Sequence, residues 1–379
     1  MKPETPYNLF EEFQPVTKTR WKEIATKDLR GADFTEQLVW KTAEPFEVEP
    51  YYDASDLDGL GYLEALGQTA QTDPAFGPRK WLNVAEVVVD DAQKANAEAL
   101  HALNHGAEGI LFVLPAPFDA PLDSLLKDIL LPYCAVSFTG MQQGAALASR
   151  LVSYATGQGF APAQLTGAIW PAQQQPLASL FEALAPLPAY RMGLMANQDG
   201  DQLTQPTSEL LTSAVQLVEE TGLPAAQVIS KISFGLPIGN NYFFELARIR
   251  ALRFLATQVV SCYGENSFTP AQVQIHAFTT ISLDDKTKAD PYLNMLSNTS
   301  QAMSAILGGC DLLTVYPHNR GIEPTDDFGK RIARNISVIL REEAYFDKVA
   351  DPAAGSYYLE KLTDQFSASI WEAFRQQFA

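Results

Sequence analysis

The chain holds only three cysteines, Cys134, Cys262 and Cys310, in 379 residues. Their odd number and wide spacing exclude a disulfide framework and point to a reducing compartment, with all three read as small buried apolar residues. No apolar run approaches the roughly 20 residues of a membrane span, and the opening MKPETPYNLFEEF lacks a signal-peptide core. A cytoplasmic protein without a membrane partner is expected. Positive charge is also short: 27 Lys and Arg face 45 Asp and Glu, for a net charge of −18. A surface that acidic repels phosphate backbones and anionic lipid heads, which argues against nucleic acid as well. No glycine-rich phosphate loop, P-loop or G-x-S-x-G elbow occurs, so the chemistries those motifs serve are not indicated.

What is present is a globular composition, 46% hydrophobic and 19% charged. From residue 81 onward, short β-branched runs alternate with helical stretches. The strand candidates are Trp81–Val89, Gly109–Leu114, Cys134–Thr139, Leu165–Trp170, Tyr190–Ala196, Val228–Phe234, Val273–Thr280 and Asp311–Tyr316. Between them lie segments long enough for crossover helices, such as Ala92–His105, Gly140–Thr156, Leu203–Thr221, Asn240–Val260 and Pro291–Leu307. Strands separated by helices pair in parallel, and eight such units predict an α/β fold closed as a (β/α)8 TIM barrel over 81–379. Leu359, Leu362, Phe366 and Ile370 recur at helical spacing, which predicts a further helix after the eighth unit. Asp290-Pro291 reads as a helix start and Gly308-Gly309 as its end.

Residues 1–80 differ. Seven prolines and scattered aromatics (Phe10, Phe13, Trp21, Trp40, Phe46, Tyr51, Tyr52) accompany one helix candidate, Thr19–Leu29. The segment has too little periodicity for its own core and is expected to drape as an arm over the barrel or a partner.

His101 and His105 have metal-pair spacing on a helix, but Ala102 stands where a zincin needs Glu, and a solvated helix end is the simpler reading. Asp53, Asp56 and Asp58 before Gly59 fail the register of a calcium loop. Asp90-Asp91, Asp326-Asp327 and Glu342-Glu343 read as helix termini or solvated faces. His276 in the seventh strand and Lys231 in the sixth could face a barrel active site as base or Schiff-base lysine. A packed histidine and an outward lysine are the alternatives. An unrelated lyase or aldolase acting through Lys231 is the most distant of the functional readings.

The longest signals are collinear. ISFGLPIGNNYFFELARIRALRFL (232–255), IHAFTTIS (275–282), DPYLNMLSNTSQAMSAILGGCDLLTVYP (290–317) and FGKRIARNISVILREEAYFDKVADPAAGSYYLEKLTD (328–364) resemble, in order, the second half of the methylmalonyl-CoA mutase barrel. WKTAEPFEVEPYYDASDL (40–57) resembles that family's entry into the barrel. The resemblance implies a (β/α)8 fold and an association with adenosylcobalamin and acyl-CoA radical chemistry, the isomerisation of methylmalonyl-CoA and succinyl-CoA. It also implies that the C-terminal cobalamin-binding domain, with its D-x-H-x-x-G signature, is missing from a chain that ends at Ala379.

The departures from the family's site are specific. QTAQTDPAFGPRKWLNV (68–84) has no TRG-type segment with its tyrosine. YRMGLMANQDG (190–200) lacks the histidine expected after the fifth strand. Lys231 stands for an arginine, Gln274 for another and Gln301 for a glutamate, whereas Ser233 and His276 are retained. The resemblance therefore implies a non-catalytic small, or β, subunit with vestigial positions at Lys231, Ser233, Gln274, His276 and Gln301. This chain would bind no cofactor or metal, and adenosylcobalamin would sit in a catalytic large subunit paired with it as a heterodimer. The rival reading is an active acyl-CoA mutase barrel served by a separate cobalamin-binding subunit. The bore discriminates. Ser137, Ser233 and Thr314 could line a pantetheine channel, whereas Phe112, Phe138, Met192, Phe234 and Phe278 could plug it.

Overall fold

The structure is a computed structural model describing residues 16–63, 66, 77–140, 143–172, 177–197, 200, 202–322 and 326–378. Phe10, Phe13, most of 68–84 and positions 198–199 of the fifth-strand string lie outside them. An antiparallel hairpin pairs β1 (Trp40–Lys41) with β2 (Glu47–Val48). Eight parallel strands then close a barrel: β3 (Leu82–Val88), β4 (Gly109–Val113), β5 (Ala135–Thr139), β6 (Gly167–Ile169), β7 (Tyr190–Met195), β8 (Ile232–Ile238), β9 (Gln274–Thr279) and β10 (Leu312–Thr314). β10 pairs with both β9 and β3, completing the (β/α)8 TIM barrel. The α-helices are α1 (Lys18–Asp28), α2 (Phe34–Leu38), α3 (Ala92–Asn104), α4 (Leu122–Leu125), α5 (Gly144–Gly157), α6 (Leu177–Ala183), α7 (Thr204–Thr221), α8 (Ala225–Ser230), α9 (Tyr242–Cys262), α10 (Asp285–Ala289), α11 (Leu293–Gly308), α12 (Asp327–Glu342) and α13 (Tyr357–Gln376).

Local chemistry sets most boundaries. Asp91 caps α3 through the Lys94 N–H, and Asp326 caps α12 through the Gly329 N–H. Asp53 caps a short 3₁₀ turn and Asp56 pairs with Lys18 at 2.6 Å, which accounts for that acidic cluster without a metal. Gly309, at φ +97°, ends α11 in the left-handed conformation that glycine adopts without strain. Two boundaries differ from the sequence reading. Val228–Ser230 is not strand: it closes α8, where Pro224 precedes the first turn and Val228 and Ile229 share one buried helical face. The sixth barrel strand therefore starts at Ile232, and Lys231 sits in the turn before it. Asp290 does not start α11. It accepts from the Tyr292 N–H in the preceding turn, and Tyr292 is the N-cap.

Strand alternation splits the core in two. Outward side chains, including Phe112, Phe138, Met192 and Phe234, pack between strands and helices. Val84, Leu111, Ala168, Trp170, Phe278 and Leu312 form a second cluster inside the bore. Residues 44–52, before β3, lie on the helical shell. Phe46 meets Phe244 and Phe366, Tyr52 meets Tyr358, and the Glu44 carboxylate accepts from the first turn of α7.

A buried ion network ties α9 to α13. Arg250 reaches Asp351 at 3.0 Å, Glu360 at 3.1 Å and the Thr363 hydroxyl at 2.8 Å. Asp351, Glu360 and Thr363 all belong to the end of the 328–364 string, so these side chains serve closure of the shell. Removing one partner strands the others in low dielectric. Arg250→Leu is expected to lower unfolding stability by about 3–5 kcal/mol, read as a shifted urea midpoint. An unchanged midpoint would show the network to be ornamental.

Candidate functional site

Register settles which residues face the bore. Gly193 of β7 pairs with Ser233, which pairs with Gln274, and Met195 pairs with Gly235, which pairs with His276. His276 pairs with Leu312, and Phe278 with Thr314. Trp170, the residue after β6, enters the bore beside β7 and lies across the two glycines. A Cβ on Gly193 would overlap its ring carbons, and one on Gly235 would come within 2.6 Å of Trp170 Cζ3 and 2.8 Å of Met195 Sδ. The absence of side chains on β7 and β8 is thus what makes room for the indole.

Around Trp170 the filling is aromatic. His276 stacks on Phe278 at 4.1 Å, and both present to the indole edge-on at 5.5 and 5.4 Å. Trp170 is 3% exposed, Phe278 2%, Ser137 1%, Ser233 1%, and His276 and Thr314 0%. Walls this inaccessible to water leave no passage for a pantetheine chain. Above the plug, Glu86 of β3 makes a two-pronged ion pair with Arg320 at 2.9 and 3.0 Å, and Arg320 lies 3.9 Å over the Tyr316 ring. Burial and the Glu86 charge push the Tyr316 hydroxyl up to about 12.

The five expected site positions do not converge. His276 Nε2 shares a 2.8 Å hydrogen bond with the Thr314 hydroxyl, and burial lowers its pKa to about 3, so the ring is neutral. Ser233 faces the bore, and Gln274 sits at the N-terminal mouth beside it in register. Lys231 lies at that same end, donating to the Leu184 and Leu187 carbonyls at 2.9 Å each. It is therefore neither in the sixth strand nor at the C-terminal face where barrel chemistry takes place, and the Schiff-base reading loses its geometry. Gln301 stands behind the upper loops. It accepts from the Thr280 N–H and donates to the Asn240 side chain, both at 2.8 Å, tying the loop after β8 to the loop after β9.

Of the five expected plugs, Phe112, Phe138, Met192 and Phe234 point outward, and only Phe278 fills the bore. The main plug, Trp170, is not among them; its signal in the sequence is a tryptophan ending the fourth strand candidate, with Gly193 inside the fifth and Gly235 directly after the sixth.

A cavity of about 640 Å³ does exist at the C-terminal face, off the axis, between the loops after β7, β8 and β9 and the hairpin. Its floor holds Glu245 and Arg248, paired at 2.5 Å. Of the four histidines, His101 and His105 stack on each other at the end of α3, His276 is sealed, and His318 is stacked on Tyr292. His318 lies in the loop after β10, at the C-terminal face, buried between the Tyr292 and Phe328 rings. Among the described residues, no group of three or more His, Cys, Asp or Glu is placed to hold a metal ion.

Comparison with known proteins gives a consistent family. Residues 197–377 match the family described as Methylmalonyl-CoA mutase. The chain is 32% identical to a Methylmalonyl-CoA mutase small subunit of Porphyromonas gingivalis, over 97% of this chain and 63% of that protein. It is 27% identical to another of that name in Propionibacterium freudenreichii subsp. shermanii, covering 98% and 63%. A Methylmalonyl-CoA mutase of Rhizobium meliloti is 27% identical, covering 93% and 56%. The chain thus spans less than two thirds of the length of these relatives. The dihydropteroate synthase structure from Burkholderia cenocepacia aligns over 70% of this chain and 93% of its own at 15% identity and a TM-score of 0.38, too remote to bear on function.

Two outcomes test the sealed bore. Gly193→Ala should destabilise the fold by about 1–3 kcal/mol through overpacking, and Trp170→Gly by about 3–5 kcal/mol through the cavity it leaves. In the double variant the glycine penalty should vanish, and free indole should raise the melting temperature of Trp170→Gly alone. Additive losses would place the indole elsewhere. His276 supplies the second. Its unfolded pKa is near 6.5 and its folded pKa about 3, so the unfolded chain binds the extra proton between them. Its contribution is full above 6.5 and declines as pH falls, by about 1.4 kcal/mol per unit. From pH 6 to 4, wild type should lose about 2–3 kcal/mol more than His276→Gln. Parallel pH profiles would mean a solvated ring.

Proposed function

We infer that this chain, which belongs to the methylmalonyl-CoA mutase family, is the barrel of a non-catalytic small subunit that pairs with a catalytic large subunit as a heterodimer. The observation that carries this reading is Trp170 lying across Gly193 and Gly235. A catalytic barrel of this family has to thread an acyl thioester toward the radical centre, and here an indole fills that path. Adenosylcobalamin and the interconversion of methylmalonyl-CoA and succinyl-CoA then belong to the partner, in the cytoplasm. The relatives named small subunits support the pairing.

The bore's leftovers fit this history. Trp170 Nε1, Ser233 Oγ and His276 Nδ1 are buried with no hydrogen-bond partner. An unpaired buried polar atom costs about 1–3 kcal/mol, which is unexpected in a bore built only as core but natural in a site that was filled in. The rival, an active barrel served by a separate cobalamin-binding subunit, requires an open axis and is disfavoured on the same ground.

On this reading the role is architectural: the arm of residues 1–80 and the shell offer a surface on which the large subunit folds and closes. The test has two parts. The purified chain with adenosylcobalamin and methylmalonyl-CoA should show no turnover, and co-expression with a mutase large subunit from the same genome should yield a one-to-one complex. Turnover by the chain alone would overturn the reading, as would failure to associate.

A further inference from the structure

One helix stands apart from the shell. The long helices α3, α5, α7, α9, α11, α12 and α13 all bury residues, whereas α1, with 11 residues, buries none. A helix of that length is marginal in water by itself, so its seating rests on one edge. There Trp21 stacks on Tyr51 at 4.8 Å and meets Phe34 edge-on at 6.2 Å, and Lys18 pairs with Asp56 at 2.6 Å. The opposite face is exposed at Arg20, Lys22, Glu23, Ile24 and Lys27.

The charge of this helix is opposite to that of the molecule. Residues 18–30 hold five Lys or Arg (Lys18, Arg20, Lys22, Lys27 and Arg30) against Glu23 and Asp28, in a chain whose net charge is −18. Two of the five are engaged, Lys18 with Asp56 and Arg20 with Glu23 at 3.0 Å. Lys22, Lys27 and Arg30 are exposed and make no ion pair among the described residues, although Lys22 lies 4.7 Å from the Phe34 ring centroid. Beside the helix is a groove of about 710 Å³, lined by Lys18, Thr19, Lys22, Glu23, Thr26 and Ser55.

The same residues select the occupant. A membrane-surface helix sets Trp, Phe or Leu opposite its cations. Here Trp21 is turned against Tyr51, and Ile24 is the one large apolar residue exposed on α1. A nucleic acid would meet the strongly acidic remainder of the chain. A protein face carrying carboxylates matches both the polarity and the sign.

We propose that α1 is an electrostatic docking helix, on which Lys22, Lys27 and Arg30 receive the carboxylates of an acidic face of the large subunit. The inference rests on the heterodimer reading above and adds which helix makes the contact and by what force.

The test uses the full chain and a mutase large subunit from the same genome. Association rates are measured by surface plasmon resonance at about 20 mM and about 500 mM salt, where such charges are exposed and screened respectively. The triple variant Lys22→Glu, Lys27→Glu, Arg30→Glu should associate about tenfold or more slowly at low salt and within about twofold of wild type at high salt. Its urea midpoint should match wild type, because α1 buries no residue. The same three positions changed to Gln should give a smaller effect in the same direction. Equal rates for wild type and the Glu variant at low salt would overturn the proposal and leave the heterodimer reading standing. No association of the wild-type chain would overturn both. Slowing that persists at high salt would mean lost packing rather than charge, and would overturn it too. So would self-association of the chain, or its binding to phosphatidylserine vesicles, that the Glu variant abolishes, since α1 would then serve a second copy or a lipid surface.

Discussion

The contact between Trp170 and the bare backbone at Gly193 and Gly235 is the constraint around which the bore is arranged. An eight-stranded barrel leaves room that side chains must fill or a ligand must occupy. Here a single indole takes that room, and its neighbours follow from it. His276 and Phe278 stack beside it, Leu111, Val84 and Ala168 pack beneath, and Met195 closes against Gly235. Either glycine replaced by a larger residue would displace the ring. The ring replaced by a smaller one would leave a cavity lined by a neutral histidine and an unpartnered serine.

Shell and bore draw on different residues of the same strings: Ser233, Gly235, His276 and Phe278 face the bore, and others build the shell. Arg250 with Asp351 and Glu360 locks the last helix to α9, and Arg253 with Asp311 and the carbonyls of Pro270, Val273 and Gly309 fastens the underside of the barrel. Each buried charge there requires its partners to persist together, because losing one strands the rest. In the bore, by contrast, Trp170 Nε1, Ser233 Oγ and His276 Nδ1 have no hydrogen-bond partner.

That separation explains what could be read from the residues alone. Strand–helix alternation and fixed-order motifs led directly to the closed barrel, because hydrophobic period and turn chemistry are local properties. The sixth strand was misplaced because Val228 and Ile229 are β-branched, yet Pro224 and the two alanines after it start a helix there. Direction across a strand was the harder question. Phe112, Phe138, Met192 and Phe234 have the bulk to plug a bore, but one residue of register sends a side chain to the opposite face. The plug itself is a relation among three strands, 170 with 193 and 235, that no single stretch of sequence displays. Lys231 and His276 belong to adjacent strand regions, and only the closed barrel sets one at its underside and the other in its sealed middle.

The most direct measurement of the central claim is calorimetric titration of methylmalonyl-CoA into the isolated chain, beside Trp170→Gly as the opened control. A sealed bore predicts no saturable heat with the wild-type chain at millimolar ligand. Saturable binding to the wild-type chain, lost when bulk is added at Gly193, would show that the axis admits substrate and would contradict the account.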